Sequence, residues 1–233
     1  AAAPDSTTSE QQSGQERAAD GVELRPTGEM LEPALGREIE DAHSDTVLGV
    51  EFSRDGKLLL SGGTDKFAKI FEVESGKHVR SFEGHTHHVM DASWKADGTQ
   101  IVTAGADNAI KIWNTETGEQ IRTISNYPKQ VTAIQYVGDS DTIASCGGDA
   151  SVRFHRGSNG QNTRNFGGSS DYVYAVAAAR DAETAINPQT NQESDLIVAG
   201  GEDGTLRVWN AKNGQALFTF APPKVEEAAQ ASR

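Results

Sequence analysis

Short runs of alternating apolar and polar residues return along the chain at a fixed interval. Val47, Val89, Val131 and Val173, spaced 42 residues apart, open the runs VLGVEFS, VMDASWK, VTAIQYV and VYAVAAA. Each is followed by a second apolar run: LLLSGG, QIVTAG, TIASCG and DLIVAG. A third run alternates Ile110 with Ile112, Val152 with Phe154 and Leu206 with Val208, and Lys69, Lys111, Arg153 and Arg207 fall between the apolar positions. A period of two is that of a β-strand. Asp65, Asp107, Asp149 and Asp203 sit in glycine-flanked turns, and eleven residues after each comes Gly76, Gly118, Gly160 or Gly214. Asn159-Gly160 and Asn213-Gly214 are strong hairpin signals, because both residue types tolerate positive φ. The pattern predicts an all-β chain of four four-stranded antiparallel units. Short-strand repeats of this period stack as propeller blades, which display binding surfaces.

The blades are expected at about 43–84, 85–126, 127–168 and 169–221. Residues 1–33 are polar and nearly free of aromatics, too poor in apolar area to offset ordering entropy, and are expected to form a disordered acidic arm. ALGREIEDAH (34–43) occupies the place that GKHVRSFEGH holds before the second repeat, so it is expected to be the last strand of a preceding blade. The fourth repeat is longer, and DAETAINPQTNQESD (181–195) is expected to extend the hairpin between its first two strands. Residues 222–233 are expected to form a flexible tail.

Charge, cysteine and hydropathy narrow the function classes. The net charge of −13 is concentrated in residues 1–45, which carry eleven acidic and three basic side chains. Without a Lys/Arg cluster there is no electrostatic handle on phosphate backbones, which argues against nucleic acid as a partner. Cys146 is the sole cysteine, which removes intramolecular disulfides, cysteine-based zinc sites and covalent haem attachment. It aligns with Gly62, Ala104 and Gly200, so it reads as a buried small apolar side chain. No apolar run approaches the length of a membrane span, so no membrane insertion is expected. The chain opens on Ala1 and reads as a processed or excised piece.

The Gly84-His85 pair, the turn aspartates and the segment ends IWN (112–114) and VWN (208–210) resemble the WD-repeat family of β-propellers, over residues 43 to about 220. Within it, HTHHVMDASWKADG and LRVWNAKNGQALFTFAPP resemble the C-terminal repeats of planctomycete-type bacterial WD-repeat proteins, often fused to a c-type cytochrome domain. That resemblance implies export to the periplasm or cell envelope. The family joins a His, a Ser/Thr, the turn Asp and a Trp in a structural network. It is complete in repeat two as His85, Thr103, Asp107 and Trp113. Repeat one offers His43, Ser61 and Asp65 with Phe71 in place of the tryptophan. Repeat three has Tyr127, Ser145, Asp149 and His155, and repeat four has Ser169, Ala199, Asp203 and Trp209. These departures are expected to weaken the network in repeats three and four.

His85, Thr103 and Asp107 have the composition of a catalytic triad. A device copied in degraded form through every repeat is structural, so no enzymatic activity is expected, and a hydrolase using His85 and Asp107 is the weakest reading. The cluster His85-Thr86-His87-His88 lacks further ligands, so no metal and no cofactor are expected. The resemblance places partner contacts on the top face, at Thr46, Leu48 and Thr64; His88, Met90 and Ala106; Gln130, Thr132 and Gly148; and Tyr172, Tyr174 and Glu202. Of these Leu48, His88, Met90, Tyr172, Tyr174 and Glu202 form the candidate contact set. The reading is a non-enzymatic scaffold that binds protein partners. The alternative is an accessory propeller region of an exported bacterial cytochrome or redox protein. The four blades are expected to form part of a larger ring completed by upstream blades, with a homodimer as the next choice and a closed four-bladed monomer the third.

Overall fold

The computed structural model describes residues 38–125, 127–178, 186–187, 192–193 and 196–221. The arm at 1–33 and the tail at 222–233 lie outside them. Blade 1 consists of β1 (Val47–Phe52), β2 (Leu58–Gly63), β3 (Ala68–Glu72) and β4 (His78–Phe82). Blade 2 consists of β5 (Val89–Trp94), β6 (Gln100–Gly105), β7 (Ile110–Asn114) and β8 (Gln120–Ile124). Blade 3 holds β9 (Val131–Tyr136), β10 (Thr142–Gly147), β11 (Val152–Arg156) and β12 (Asn162–Phe166). Blade 4 begins with β13 (Val173–Ala178), which pairs with β16 (Leu196–Gly201), followed by β17 (Leu206–Asn210) and β18 (Ala216–Phe220). Each blade is a four-stranded antiparallel meander, as the alternation predicts.

Two expectations about the repeat ends meet the structure differently. Between the first two strands of blade 4, β14 (Ile186–Asn187) pairs antiparallel with β15 (Gln192–Glu193); the rest of 181–195 lies outside the described residues. Of ALGREIEDAH, residues 34–37 lie outside the described residues, and residues 38–43 form a turn and bends. Asp41 within that segment is left-handed, at φ 54°.

The turn after β2 and its counterparts explain the turn aspartates. Asp65 accepts the Phe67 N–H, Asp149 the Ser151 N–H and Asp203 the Thr205 N–H, two residues on in each case. The residue after the aspartate is left-handed in all four blades: Lys66 at φ 75°, Asn108 at 64°, Ala150 at 63° and Gly204 at 65°. Only in blade 4 does glycine meet that demand without steric cost.

The core lies between blades. One layer combines Leu60, Ala68, Ile70 and Phe82 of blade 1 with Val89, Ala92, Trp94, Ile101 and Trp113 of blade 2. A second joins blades 2 and 3 around Ile110, Ile112, Ile124, Val131, Ile134 and Tyr136. The third joins blades 3 and 4 around Val152, Phe154, Phe166, Val173, Ile197 and Trp209. Each blade thus offers a trailing face to the next and a leading face to the one before. Strand packing joins consecutive blades, β1 to β5, β5 to β9 and β9 to β13.

Polar latches rim these apolar layers on both sides. At the inner edge the first strand of each of blades 2–4 turns N–H groups away from its own sheet, and side chains of the preceding blade accept them. Glu51 accepts from Trp94 N–H at 2.7 Å, Asp91 from Ile134 N–H at 2.8 Å, Ser93 from Tyr136 N–H at 3.2 Å and Gln135 from Ala178 N–H at 2.7 Å. At the outer edge an arginine on the fourth strand reaches the hairpin turn of the next blade. Arg80 donates to the Thr117 carbonyl at 3.1 Å, Arg122 to Ser158 at 2.8 Å and Arg164 to Lys212 at 2.8 Å. The arginine side chains lie against Gly118, Gly160 and Gly214, where an added Cβ would approach within 3.0–3.1 Å. Arg80, Arg122 and Arg164 recur at intervals of 42 residues, so the junction is encoded as regularly as the strands.

Candidate functional site

In blade 2 a buried chain of hydrogen bonds runs from turn to core. His85 Nδ1 lies 3.0 and 2.9 Å from the two Asp107 carboxylate oxygens, and Asp107 also accepts the Thr86 N–H at 3.0 Å. Burial lowers the His85 pKa below the ordinary range, Asp107 opposes that shift, and Lys111 adds to it. A neutral ring with its proton on Nδ1 donates to Asp107 and leaves Nε2 as an acceptor. Thr103 Oγ1 donates to Nε2 at 2.7 Å and accepts the Trp113 indole N–H at 2.9 Å. These distances are those of a Thr-His-Asp relay. Thr103 is fully buried, however, and its hydroxyl oxygen is held by the indole, so no substrate carbonyl can approach it. The arrangement satisfies buried polar groups and leaves no nucleophile open to solvent.

The other blades keep the aspartate and change its partner. In blade 1 His43 bonds Asp65 at 2.8 Å and Ser61 at 2.7 Å, Lys69 stands 3.5 Å from Asp65, and the buried Phe71 packs edge-on to His78. In blade 3 Tyr127 bonds Ser145 at 2.6 Å and His155 at 3.3 Å. Asp149 pairs there with Arg153 at 2.5 Å, and the guanidinium lies over the Tyr127 ring at 4.7 Å. In blade 4 Asp203 pairs with Arg207 at 2.8 Å and takes the N–H of Ser170 at 3.3 Å. The neighbour of the expected Ser169 thus makes that contact, while Trp209 and Ala199 stay buried in the interblade layer.

Sequence reading missed this substitution of partners. Where the histidine is lost, the basic residue four positions after the aspartate becomes arginine and takes the carboxylate over. In blade 2, where His85 occupies both oxygens, Lys111 turns instead to Gln120 at 2.7 Å and Thr123 at 3.1 Å. The signal was present, because the Lys-to-Arg change coincides with the loss of histidine. The expected weakening in blades 3 and 4 is therefore offset by a bidentate-capable cation.

Burial also sets the state of two other groups. Cys146 is buried beside Thr132, and burial pushes its thiol up to about 12, which leaves it inert. His155, buried beside Arg153, is pushed down to about 4. His87 and His88 stack edge-on at 4.1 Å, and His88 Nδ1 lies 3.0 Å from the Thr64 carbonyl. Among the described residues no group of three or more His, Cys, Asp or Glu is placed to hold a metal ion.

The contact set predicted from sequence divides by blade. Tyr172 and Tyr174 lie 6.2 Å apart, and the Tyr174 hydroxyl donates to Glu202. Lys129 caps the Tyr172 ring at 4.9 Å. Tyr174 is 52% exposed and Leu48 is 42% exposed, whereas Met90, His88 and Tyr172 are half-buried. Leu48 and Met90 occupy equivalent positions on neighbouring blades. Thr132 and Gly148, by contrast, are buried: Thr132 donates to the Val173 carbonyl at 2.5 Å, and the Tyr172 ring fills the space over Gly148. They belong to the junction of blades 3 and 4. A separate cavity of about 200 Å³ opens beside the turns between first and second strands, lined by Phe52, Arg54, Trp94, Lys95, Tyr136 and Asp139. Arg54 pairs with Asp139 there at 2.5 Å.

The family model "WD domain, G-beta repeat" matches residues 37–72, 76–114, 118–156 and 160–210. The chain belongs to the WD-repeat family. A solved WD-type fold, described as "Structure of U3-55K", aligns with a TM-score of 0.67 at 19% identity, over 78% of this chain and 54% of that one. At that identity the likeness is one of fold, and this chain spans about half of that structure. A curated relative, the "Poly(A)+ RNA export protein" of Schizosaccharomyces pombe, is 38% identical over 56 residues. That match covers 24% of this chain and 14% of the relative.

Proposed function

We propose that this chain is a non-enzymatic WD-repeat scaffold that binds a protein partner through its top face, centred on Tyr172, Tyr174 and Glu202 with Leu48, Met90 and His88. The observation that carries the reading is the division of labour among polar side chains. Those with catalytic composition are spent in buried bonds within blades, with Thr103 fully buried under Trp113. On the expected top face the aromatic surface is the tyrosine pair, with Tyr174 exposed and Tyr172 half-buried. Tyrosines present a large apolar area and a polar tip at small entropic cost, which suits an interface centre. Glu202 orients Tyr174, and Lys129 holds Tyr172, so the pair is preorganised for a partner.

A photo-cross-linking amino acid placed at Tyr174 tests this, with Ile121, exposed on β8, as the control site. Adducts with a protein partner at position 174, absent at 121 and lost with Tyr172→Ala, support the reading. Equal labelling at both sites overturns it. The finer resemblance of HTHHVMDASWKADG and LRVWNAKNGQALFTFAPP to bacterial cytochrome fusions supports the alternative, an accessory region beside a haem domain. A Cys-x-x-Cys-His encoded upstream in the parent gene decides between them.

A further inference from the structure

The cavity beside the turns between first and second strands is built by a departure from the repeat. Phe52, Trp94 and Tyr136 end the first strands of blades 1–3 at one register, opposite Leu59, Ile101 and Ile143. Two residues on, Arg54 of blade 1 corresponds to Ala96 and Gly138 in the next two blades, so one long cation stands among small residues and room is left beside it. Asp55, Asp97 and Asp139 follow in sequence. The first two hold their own turns, accepting the Lys57 and Thr99 N–H groups at 3.1 and 2.9 Å. In blade 3 Ser140 takes over that task, its hydroxyl accepting the Thr142 N–H at 3.2 Å. Asp139 is thereby released to reach past blade 2 and pair with Arg54.

The resulting cavity has an apolar wall and a rim of both charges. The Trp94 indole N–H is taken by the Glu51 carbonyl and the Tyr136 hydroxyl by Gln100, so ring carbons are what these two residues leave to line the cavity. On the rim Lys95 pairs with Asp97 at 2.9 Å. The side chains of Arg54 and Asp139 are 64% and 73% exposed, and an ion pair so open to water holds its partners weakly. Each can exchange the other for a better contact. The volume of about 200 Å³ lies below the range of about 300–1,000 Å³ that drug-sized ligands occupy, which limits an occupant to a small molecule.

We propose that this cavity binds a free α-amino acid with an apolar side chain. Its carboxylate takes Arg54, its ammonium takes Asp139, and its side chain covers the aromatic wall. A zwitterion matches a rim that carries one cation and one anion side by side, because it opens their ion pair and gives each a new partner. A monoanion satisfies Arg54 alone and a monocation Asp139 alone. The guanidinium fork also favours a carboxylate, which it can grip through two parallel bonds. Blades 2 and 3 supply Trp94, Lys95, Tyr136 and Asp139, so most of the lining lies within junctions already formed. The site sits at the strand ends opposite Tyr172 and Tyr174 and is independent of the top-face reading.

Isothermal titration of the full chain with L-phenylalanine and with L-leucine tests this. Three analogues accompany them: 3-phenylpropionate and phenethylamine, which keep the ring and one charge each, and glycine, which keeps both charges without an apolar side chain. Saturable one-to-one binding of at least one of the two amino acids is expected, with each analogue bound at least tenfold more weakly. Arg54→Ala and Asp139→Ala should each weaken binding at least tenfold and leave the melting temperature little changed, since the pair they break is exposed. Lys57→Ala, which removes a cation from the same turn but not from the cavity lining, should change neither. Absence of saturable binding by both amino acids overturns the proposal, as does equal binding of either singly charged analogue. So does binding that survives both Arg54→Ala and Asp139→Ala.

Discussion

Glu51 and Trp94 join the first two blades through both of their polar ends. The Glu51 carboxylate accepts the Trp94 backbone N–H at 2.7 Å, and the Glu51 carbonyl accepts the indole N–H at 3.2 Å. An edge-strand N–H buried at a junction must be paired, and here the preceding blade supplies the acceptor. Glu51→Ala should therefore cost about 1–3 kcal/mol, the range for losing a charge-assisted bond and stranding its donor. Urea unfolding checks this, and Glu51→Gln, which keeps an acceptor, should recover much of the loss.

Thr103 lies at the centre of the blade 2 network, so removing its hydroxyl strands both His85 Nε2 and the Trp113 indole N–H. Thr103→Val should destabilise by about 1–3 kcal/mol for each group left unpaired. Trp113→Ala should cost about 3–5 kcal/mol through the cavity it opens. Calorimetric unfolding of both variants gives the comparison.

Strand positions, turn aspartates and blade number were legible because period-two alternation and a 42-residue repeat are local signals. The latches were harder to see because each joins residues about 36 to 48 apart and resembles an ordinary surface charge in isolation. Read down the repeat, Arg80, Arg122 and Arg164 align, as do Glu51, Ser93 and Gln135. The pairing of Arg153 and Arg207 with the turn aspartates depended on which partner was missing, a question about three dimensions. Thr132 was misplaced for a related reason: its position borders the top face, but its hydroxyl turns into the junction.

Ala150 follows the turn aspartate of blade 3 in a left-handed conformation, at φ 63°, where blade 4 has Gly204 at φ 65°. A Cβ is strained there by about 1–2 kcal/mol, against which glycine loses more entropy on folding. Ala150→Gly should be net stabilising by about 0.5–1 kcal/mol. Gly204→Ala should be destabilising. Paired thermal melts test both signs.

Asp91 and His155 should give opposite pH dependences. Burial raises the Asp91 pKa from 3.8 to about 6, although the Ile134 and Ala92 N–H groups pull it down. Between those values the folded chain binds more protons than the unfolded one, so this contribution to stability is present below 3.8 and is lost as pH rises through 6. Burial and Arg153 lower His155 from 6.5 to about 4, so its contribution is present above 6.5 and is lost as pH falls through 4. The two offset one another over the shared window. Asp91→Asn should leave stability rising with pH there, and His155→Gln should leave it falling. Chemical denaturation at pH 4, 5 and 6 reads each slope.

The network residues that hold each blade together are distinct from the tyrosines proposed to meet a partner, and one paired measurement tests that division. Partner retention and melting temperature are measured side by side for His85→Ala and for the double variant Tyr172→Ala/Tyr174→Ala. His85→Ala should lower the melting temperature and leave retention unchanged below it. The double variant should lose the partner with little change in melting. Loss of retention in His85→Ala at a temperature where it stays folded, together with full retention in the tyrosine variant, would contradict the account.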